Sequence, residues 1–403
     1  MRLLAQCELD GRGNGGEGLG LVDRDGRRFL FIAHESAPRN LTVVDVSDPR
    51  RPEVVRTLDL PHQDVRSNSL SVSASGELLA VAYQVRRPGL QPAGVELFDI
   101  STPAEPRSVG FFDTSGPYSR GTHFVWLVGE RAYIATGLPD FEPVNPLDDQ
   151  IVVVLDVADP ARPREAGRWW LPGTRRGDTE AAPVRHPVHD MGHRAHNVNV
   201  YPSRPDRAYV GYLDAGVVIL DLEDPSKPRL VSRLDYHPPL PGFTHTVLPL
   251  LERGLLAVTD EAVIDDLGDH PKKLWVMDGS CETNVVPIAT APLPPVEEFR
   301  GRGGRFGAHN VHENDPTPTA WHSEDVLIGA FFGAGVRAYD IRDPFQPREI
   351  GHLMPPAPAD AVAAGGPSAP WAQMNDVYVD ERGLIYAIDR FAGGLYVIEL
   401  TGT

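Results

Sequence analysis

The feature that most constrains this chain is a pattern that occurs seven times. Runs of β-branched and aromatic residues end in an acidic residue in "LTVVDVSDPRRPEVV", "VELFDISTPAEPRSV", "VVVLDVADPARPREA", "VVILDLEDPSKPRLV", "LWVMDGSCETNVVPI", "VRAYDIRDPFQPREI" and "GLYVIELTGT". The acidic positions are Asp45, Asp99, Asp156, Asp221, Asp278, Asp340 and Glu399, spaced 54 to 65 residues apart. A unit of that length cannot bury a core alone, so the units must stack. Each reads as four strands; the fourth unit runs "HNVNVY", "RAYVGYL", "GVVILDL", "RLVSRLDY", with turns such as "PSRPD" and "EDPSKP" between them. The Asp-Pro pairs stop the third strand, because proline cannot donate to a sheet ladder. Seven four-stranded units predict an all-β fold, a seven-bladed β-propeller. The last unit offers three strands and stops, whereas "RLLAQCEL" at the other end has no partner in its own unit. The N-terminal strand is therefore expected to complete the last blade. This implies one domain over 1–403, with blades near 10–60, 61–116, 117–172, 173–238, 239–293, 294–354 and 355–403 plus 2–9.

Composition narrows the functional classes. The net charge of −18 and the lack of a Lys/Arg cluster argue against nucleic acid and anionic membranes as partners. The N-terminus lacks the apolar run of a signal peptide, and no run is long enough to span a bilayer, so a cytoplasmic location is expected. Cys7 and Cys281 are the only cysteines. They provide neither a disulfide framework nor a thiolate metal pair. A closed ring leaves no free inner edge, which predicts a monomer or a dimer acting on a small molecule.

The runs "LTVVDVSDP" and "VVILDLEDP" resemble the LVIVD-repeat family of bacterial proteins, and the resemblance extends over nearly all of the chain. It implies the propeller and leaves the activity open. The segment "YDIRDPFQPREIG" is similar to the selenium-binding protein and methanethiol oxidase family, which implies a propeller associated with metal.

Aligning the first strands, "EGLGL", "NSLSV", "HFVWL", "HNVNV", "HTVLP", "HNVHE" and "NDVYV", brings Glu17, Asn68, His123, His196, His245, His309 and Asn375 to one equivalent position. The first strand of a blade lines the central channel, so these seven residues form a ring at one mouth. The second strand returns to that mouth and ends at His34, Tyr83, Thr136, Asp214, Asp260, Phe331 and Asp389. Four imidazoles without thiolate suit a divalent transition metal, Fe(II) first, with Cu, Mn, Ni or Zn as alternatives. His123, His196, His245 and His309 are the expected ligands; Asp214, Asp260 and Asp389 are expected to orient them or transfer protons. The four channel histidines resemble the arrangement of the carotenoid cleavage oxygenases, which implies iron and oxygenase chemistry. Propeller lactonases, which hold calcium, imply another reading of Glu17, Asn68, Asn375 and Asp376.

The segment "RHPVHDMGHRAHNVNVY" places His186, His189 and His193 just before His196. Pro183 and Pro187 oppose a helix there, so these three are expected in a loop above the ring. Long connections at 173–195, 294–308 and 355–374 all enter at the histidine mouth, as a lid or binding rim would. Phe306, Trp371, Trp126, Phe331 and Phe332 are candidates for an apolar pocket over the metal. His312 lies three residues inside its strand and is a weaker ligand candidate. The expected function is a metal-dependent enzyme, an oxidoreductase acting on a small, partly apolar organic molecule. A metal-dependent lyase, isomerase or hydrolase and a non-catalytic protein-binding scaffold are the alternatives.

Overall fold

Alternating apolar strands that share one repeat must bury both faces, and the ring does this by stacking each sheet on its neighbours. The computed structural model describes residues 1–11, 13–356 and 371–401. Its strands form seven antiparallel sheets, a seven-bladed β-propeller. Blade one runs Gly15–Arg24, Arg27–His34, Arg39–Asp45 and Glu53–Asp59. Blade seven runs Met374–Val379, Leu384–Asp389 and Leu395–Glu399, and the N-terminal strand Arg2–Cys7 pairs antiparallel with the last of these. Arg2 lies opposite Glu399 and Cys7 opposite Leu395, so the two ends of the chain close the ring within one sheet. Most of the 355–374 connection lies outside the described residues.

Burial follows distance from the axis. Inner strands such as Thr244–Leu250 are buried throughout, whereas the outer strand Arg348–Leu353 alternates exposed and half-buried. Clusters such as Val95, Leu97, Val125 and Ile134 join adjacent blades. Two blades depart from four regular strands. The inner edge of blade two is split into Val65–Arg66 and Leu70–Val72, both paired with Leu78–Val85. In blade six the inner segment is reduced to local bonds: His309 N–H donates to Ala330 O and His312 N–H to Ile328 O.

The recurrent aspartates tie each third strand to its turn. Asp99, Asp156, Asp221 and Asp340 each accept a backbone N–H two residues later. Each also pairs with the arginine eight residues on, Arg107, Arg164, Arg229 or Arg348. The Asx turn sets the corner and the pair aligns the fourth strand; at exposed sites such pairs add little to stability.

Candidate metal centre

Each channel histidine sits on a β-bulge. In blade three Thr122 opposes Thr136 and Phe124 opposes Ala135, so His123 is the extra residue. His245 and Asn375 occupy the same irregularity in blades five and seven. In blade four His196 N–H donates to Gly211 O while Gly211 N–H donates to Asn197 O, so two residues share one partner; His309 and Asn310 share Ala330 in the same way. A bulge bends the strand and re-aims one side chain, here toward the axis.

The four rings meet there. Ring centroids are 4.2 Å apart for His123 and His196, 4.0 Å for His196 and His245, and 4.5 Å for His245 and His309. All four are buried. Each Nδ1 has an anchoring partner: Gln84 Oε1 at 3.2 Å for His123, Asn197 Oδ1 at 2.9 Å for His196, Thr246 Oγ1 at 2.8 Å for His245 and Asn375 O at 2.5 Å for His309. With Nδ1 so held, Nε2 of each ring is left to face the centre. The Nε2 atoms of His245 and His309 are buried without a hydrogen-bond partner among the described residues.

The closest approach is His123 Nε2 to His196 Nε2, 2.7 Å. Gln84 Oε1 also accepts from Arg66, and the Asn197 amide donates to Thr246 and Glu313, so both oxygens face their imidazoles as acceptors. The Asn197 oxygen places the His196 proton on Nδ1, so His196 Nε2 faces His123 as an acceptor, whereas His123 Nδ1 also has Arg66 Nη2 at 3.4 Å and Asn68 Nδ2 at 3.5 Å beside it. A bound cation would satisfy that acceptor. Burial, the main influence, holds both imidazoles below the usual range and disfavours an extra proton. A metal ion fits instead, since two nitrogens bound at right angles at about 2.1 Å lie about 3 Å apart.

Two carboxylates join the imidazoles. Glu17 lies 3.4 Å from His123 Nε2, 3.6 Å from His245 Nε2 and 3.8 Å from His309 Nε2. Glu261 lies 3.7 Å from His309 Nε2 and 3.9 Å from His196 Nε2. Glu17, His196 and His245, and again His245, Glu261 and His309, have the spacing of metal-ligand sets. Burial opposes ionisation of Glu17, but the surrounding imidazoles hold it well below the usual carboxylate range. Burial raises Glu261, with Arg305 acting against the rise.

Glu261 is absent from the expected site, and the bulge explains why. The bulge shifts the channel-facing position of the second strand by one residue, and a one-residue slip moves a side chain to the other face. Asp260 instead accepts from Tyr236 Oη and Trp275 Nε1. Asp214 accepts the backbone N–H groups of Met191 and Gly192, and Asp389 those of Gln373, Ala392 and Gly393. The hydrogen bonds of these three aspartates thus anchor loops and aromatic side chains, and the expectation that they orient the imidazoles is corrected accordingly. The same shift applies elsewhere. His34, pushed down to about 3 chiefly by burial, bonds Asn14 and Thr42, while Glu35 lines the cavity. Phe331 packs on Tyr339, while Phe332 stacks on His309 at 4.5 Å.

The other expected positions divide similarly. Asn68 reaches His123 Nδ1 at 3.5 Å, and Asn375 donates to Gly15 O and Glu35. Asp376 accepts from its neighbour Val377 N–H, so Glu17 sits among imidazoles and the calcium grouping with Asn68, Asn375 and Asp376 is not assembled around it. Trp371 lies against Arg302 beside a separate small cleft, Trp126 donates to Val200 O, and Phe306 packs on Phe299. His312 bonds Trp321 O and Val379 N–H with its two nitrogens. His186 and His189 are half-buried on the loop, whereas His193 is buried and its N–H donates to Asp148.

A cavity of about 220 Å³ opens onto the imidazoles. Its wall includes Met191, Phe243 and Val263, but also Arg66, Arg120, Arg194, Arg305 and Arg390. The expected apolar pocket is thus lined by guanidinium groups as well. Arg66 and Arg194 each stand two residues before a ring position, and Arg390 one residue after the second strand, so the repeat register held a signal for them.

The LVIVD repeat family model matches residues 28–59 and 195–235. No curated protein matches the chain. Among solved structures, the Cps50 (Swd1) β-propeller domain of Myceliophteria thermophila is 13% identical, with a TM-score of 0.58 over 96% of each chain. U3-55K is 12% identical, with a TM-score of 0.58 over 99% of this chain and 98% of its own. A hypothetical selenium-binding protein from Sulfolobus tokodaii is 14% identical, with a TM-score of 0.55 over 89% of this chain and 86% of its own. At these identities the likeness is one of fold. The chain is a seven-bladed β-propeller that carries LVIVD repeats.

Proposed function

We propose that the protein is a metal-dependent enzyme in which His123, His196, His245 and His309, with Glu17 and Glu261, hold a divalent transition ion beneath the cavity. The observation that carries this reading is the convergence of four buried imidazoles on two carboxylates, with the Nε2 atoms of His245 and His309 left without a hydrogen-bond partner among the described residues. Four nitrogens and two carboxylates without thiolate favour Fe(II), with Mn, Ni, Cu or Zn as alternatives. When bound, such an ion supplies a Lewis acid, and iron or copper also a redox couple for oxygenase-like chemistry. The chain's own part is to orient the rings through Gln84, Asn197, Thr246 and the Asn375 carbonyl. Glu261, held through Oε1 by Arg305 at 2.7 Å, turns Oε2 toward His196. The selenium binding in the name of one structural neighbour finds no support in an exposed Cys281 and a Cys7 on the blade-seven outer strand. A cytoplasmic location, a small-molecule substrate and a monomeric or dimeric state belong to the same proposal.

Elemental analysis of untagged protein tests it. About one ion per chain is expected, lost in His196→Ala and His245→Ala, with oxygen consumption dependent on Fe(II) or Cu. Metal-free protein that also takes up no Fe(II), Mn(II), Cu or Zn would leave only the scaffold function. Metal without oxygen consumption would leave the lyase, isomerase or hydrolase chemistry.

A further inference from the structure

The chain carries a net charge of −18, yet five guanidinium groups gather at one small cavity. Their compensation is incomplete. Arg66 pairs with Glu35 at 2.8 Å, Arg305 with Glu261 at 2.7 Å, and Arg120 and Arg194 share Asp149. Arg390 has no side-chain hydrogen bond among the described residues; its nearest carboxylate is Glu35, at 3.7 Å. Against five positive charges stand Glu17, Glu35, Glu261 and Asp149, so the mouth is cationic before any metal binds. Asp149 and Arg194 are also charged groups with little access to water, at 3% and 15% side-chain exposure, where an unmatched charge is costly. The donors are unequally used as well: Arg194 Nε and Gln150 Nε2 are buried without an acceptor among the described residues.

Spare N–H donors and surplus positive charge call for an acceptor that is itself negative. Guanidinium is planar and presents paired donors that match a carboxylate. Met191, Phe243 and Val263 on the same wall give the cavity an apolar side that a bare inorganic anion would not use.

We propose that the cavity binds a small organic carboxylate, its anionic end held by Arg194 and Arg390 and its remainder directed toward the imidazoles. This deepens the metal-enzyme reading and rests on it for the reaction, but not for the binding. It also revises the expected substrate from a partly apolar molecule to an acid.

The test uses the full-length protein with and without added Fe(II), and oxalate, malonate, succinate, malonamide and inorganic phosphate as probes. Calorimetry and thermal melting are expected to show saturable binding of at least one dicarboxylate, at least tenfold tighter than phosphate, and none of malonamide. Arg390→Gln and Arg194→Gln, on different elements, are each expected to weaken that binding at least tenfold while metal content stays at the wild-type level. Equal binding of phosphate and dicarboxylates, binding of malonamide as tight as malonate, or unchanged affinity in both variants would overturn the proposal. The two readings fail separately. Metal uptake without carboxylate binding removes only this inference, and carboxylate binding without metal uptake removes only the enzyme.

Discussion

Asp260 and Glu261 are adjacent carboxylates with opposite tasks. Asp260 sits in hydrogen bonds from Tyr236 and Trp275, and Glu261 faces His196 and His309. Glu261→Gln is therefore expected to lower metal affinity by ten- to a hundredfold with little change in melting temperature. Asp260→Ala is expected to do the reverse: it strands two half-buried donors, which lowers the melting temperature, and leaves the ion in place. Metal titration and thermal denaturation on the two variants read both effects. Equal metal loss in both would mean that the channel face is not the one the bulge selects.

At the level of the element, the repeat made much of this architecture legible. Strand count, blade closure and the ring position of His123, His196, His245 and His309 follow from periodicity, because equivalent residues in a radial repeat must occupy equivalent places. What periodicity hides is the bulge. A pattern of period two reads His34, Asp260 and Phe331 as channel-facing, and one extra residue per inner strand hands that face to Glu35, Glu261 and Phe332. The arginines are legible only through the ring register: they come from loops and strand ends of different blades, and ring closure brings them together. The connection before His196 is one such element. Asp214 accepts the N–H groups of Met191 and Gly192, and so fixes the segment that puts Met191 and Arg194 on the cavity wall. Asp214→Ala is expected to leave metal content unchanged, speed proteolytic cleavage within 176–192, and weaken carboxylate binding several-fold. An unaltered cleavage rate would show that other contacts, such as Arg185 with Asp148 and Asp190, hold the loop alone.

Across the whole molecule, the cost of a polar channel is carried by the rest of the ring. Glu313 is half-buried, with its carboxylate accepting only from Asn197 and Asn199 among the described residues. Burial, its dominant influence, pushes it up to about 7. Asp315 is pushed up to about 8, by burial and then by Glu313, and Asp376 lies well above its usual range. An acid whose folded value is raised binds its proton more tightly in the native state. Between the unfolded value near 4.3 and the folded value, the native chain holds more protons, so stability falls as pH rises through that window. Other groups titrate too, so the contribution of Glu313 is isolated by comparing Glu313→Gln with wild type in urea denaturation of metal-free protein. The glutamine keeps the acceptor for Asn197 and Asn199 and removes the titration. The variant is expected to gain on wild type between pH 5 and pH 7.5 by up to about 3 kcal/mol, with the gap widening steadily over that range. A gap that stays constant with pH would mean that Glu313 is ionised in the folded ring at the low end of the range, with a counter-charge that its amide partners do not provide.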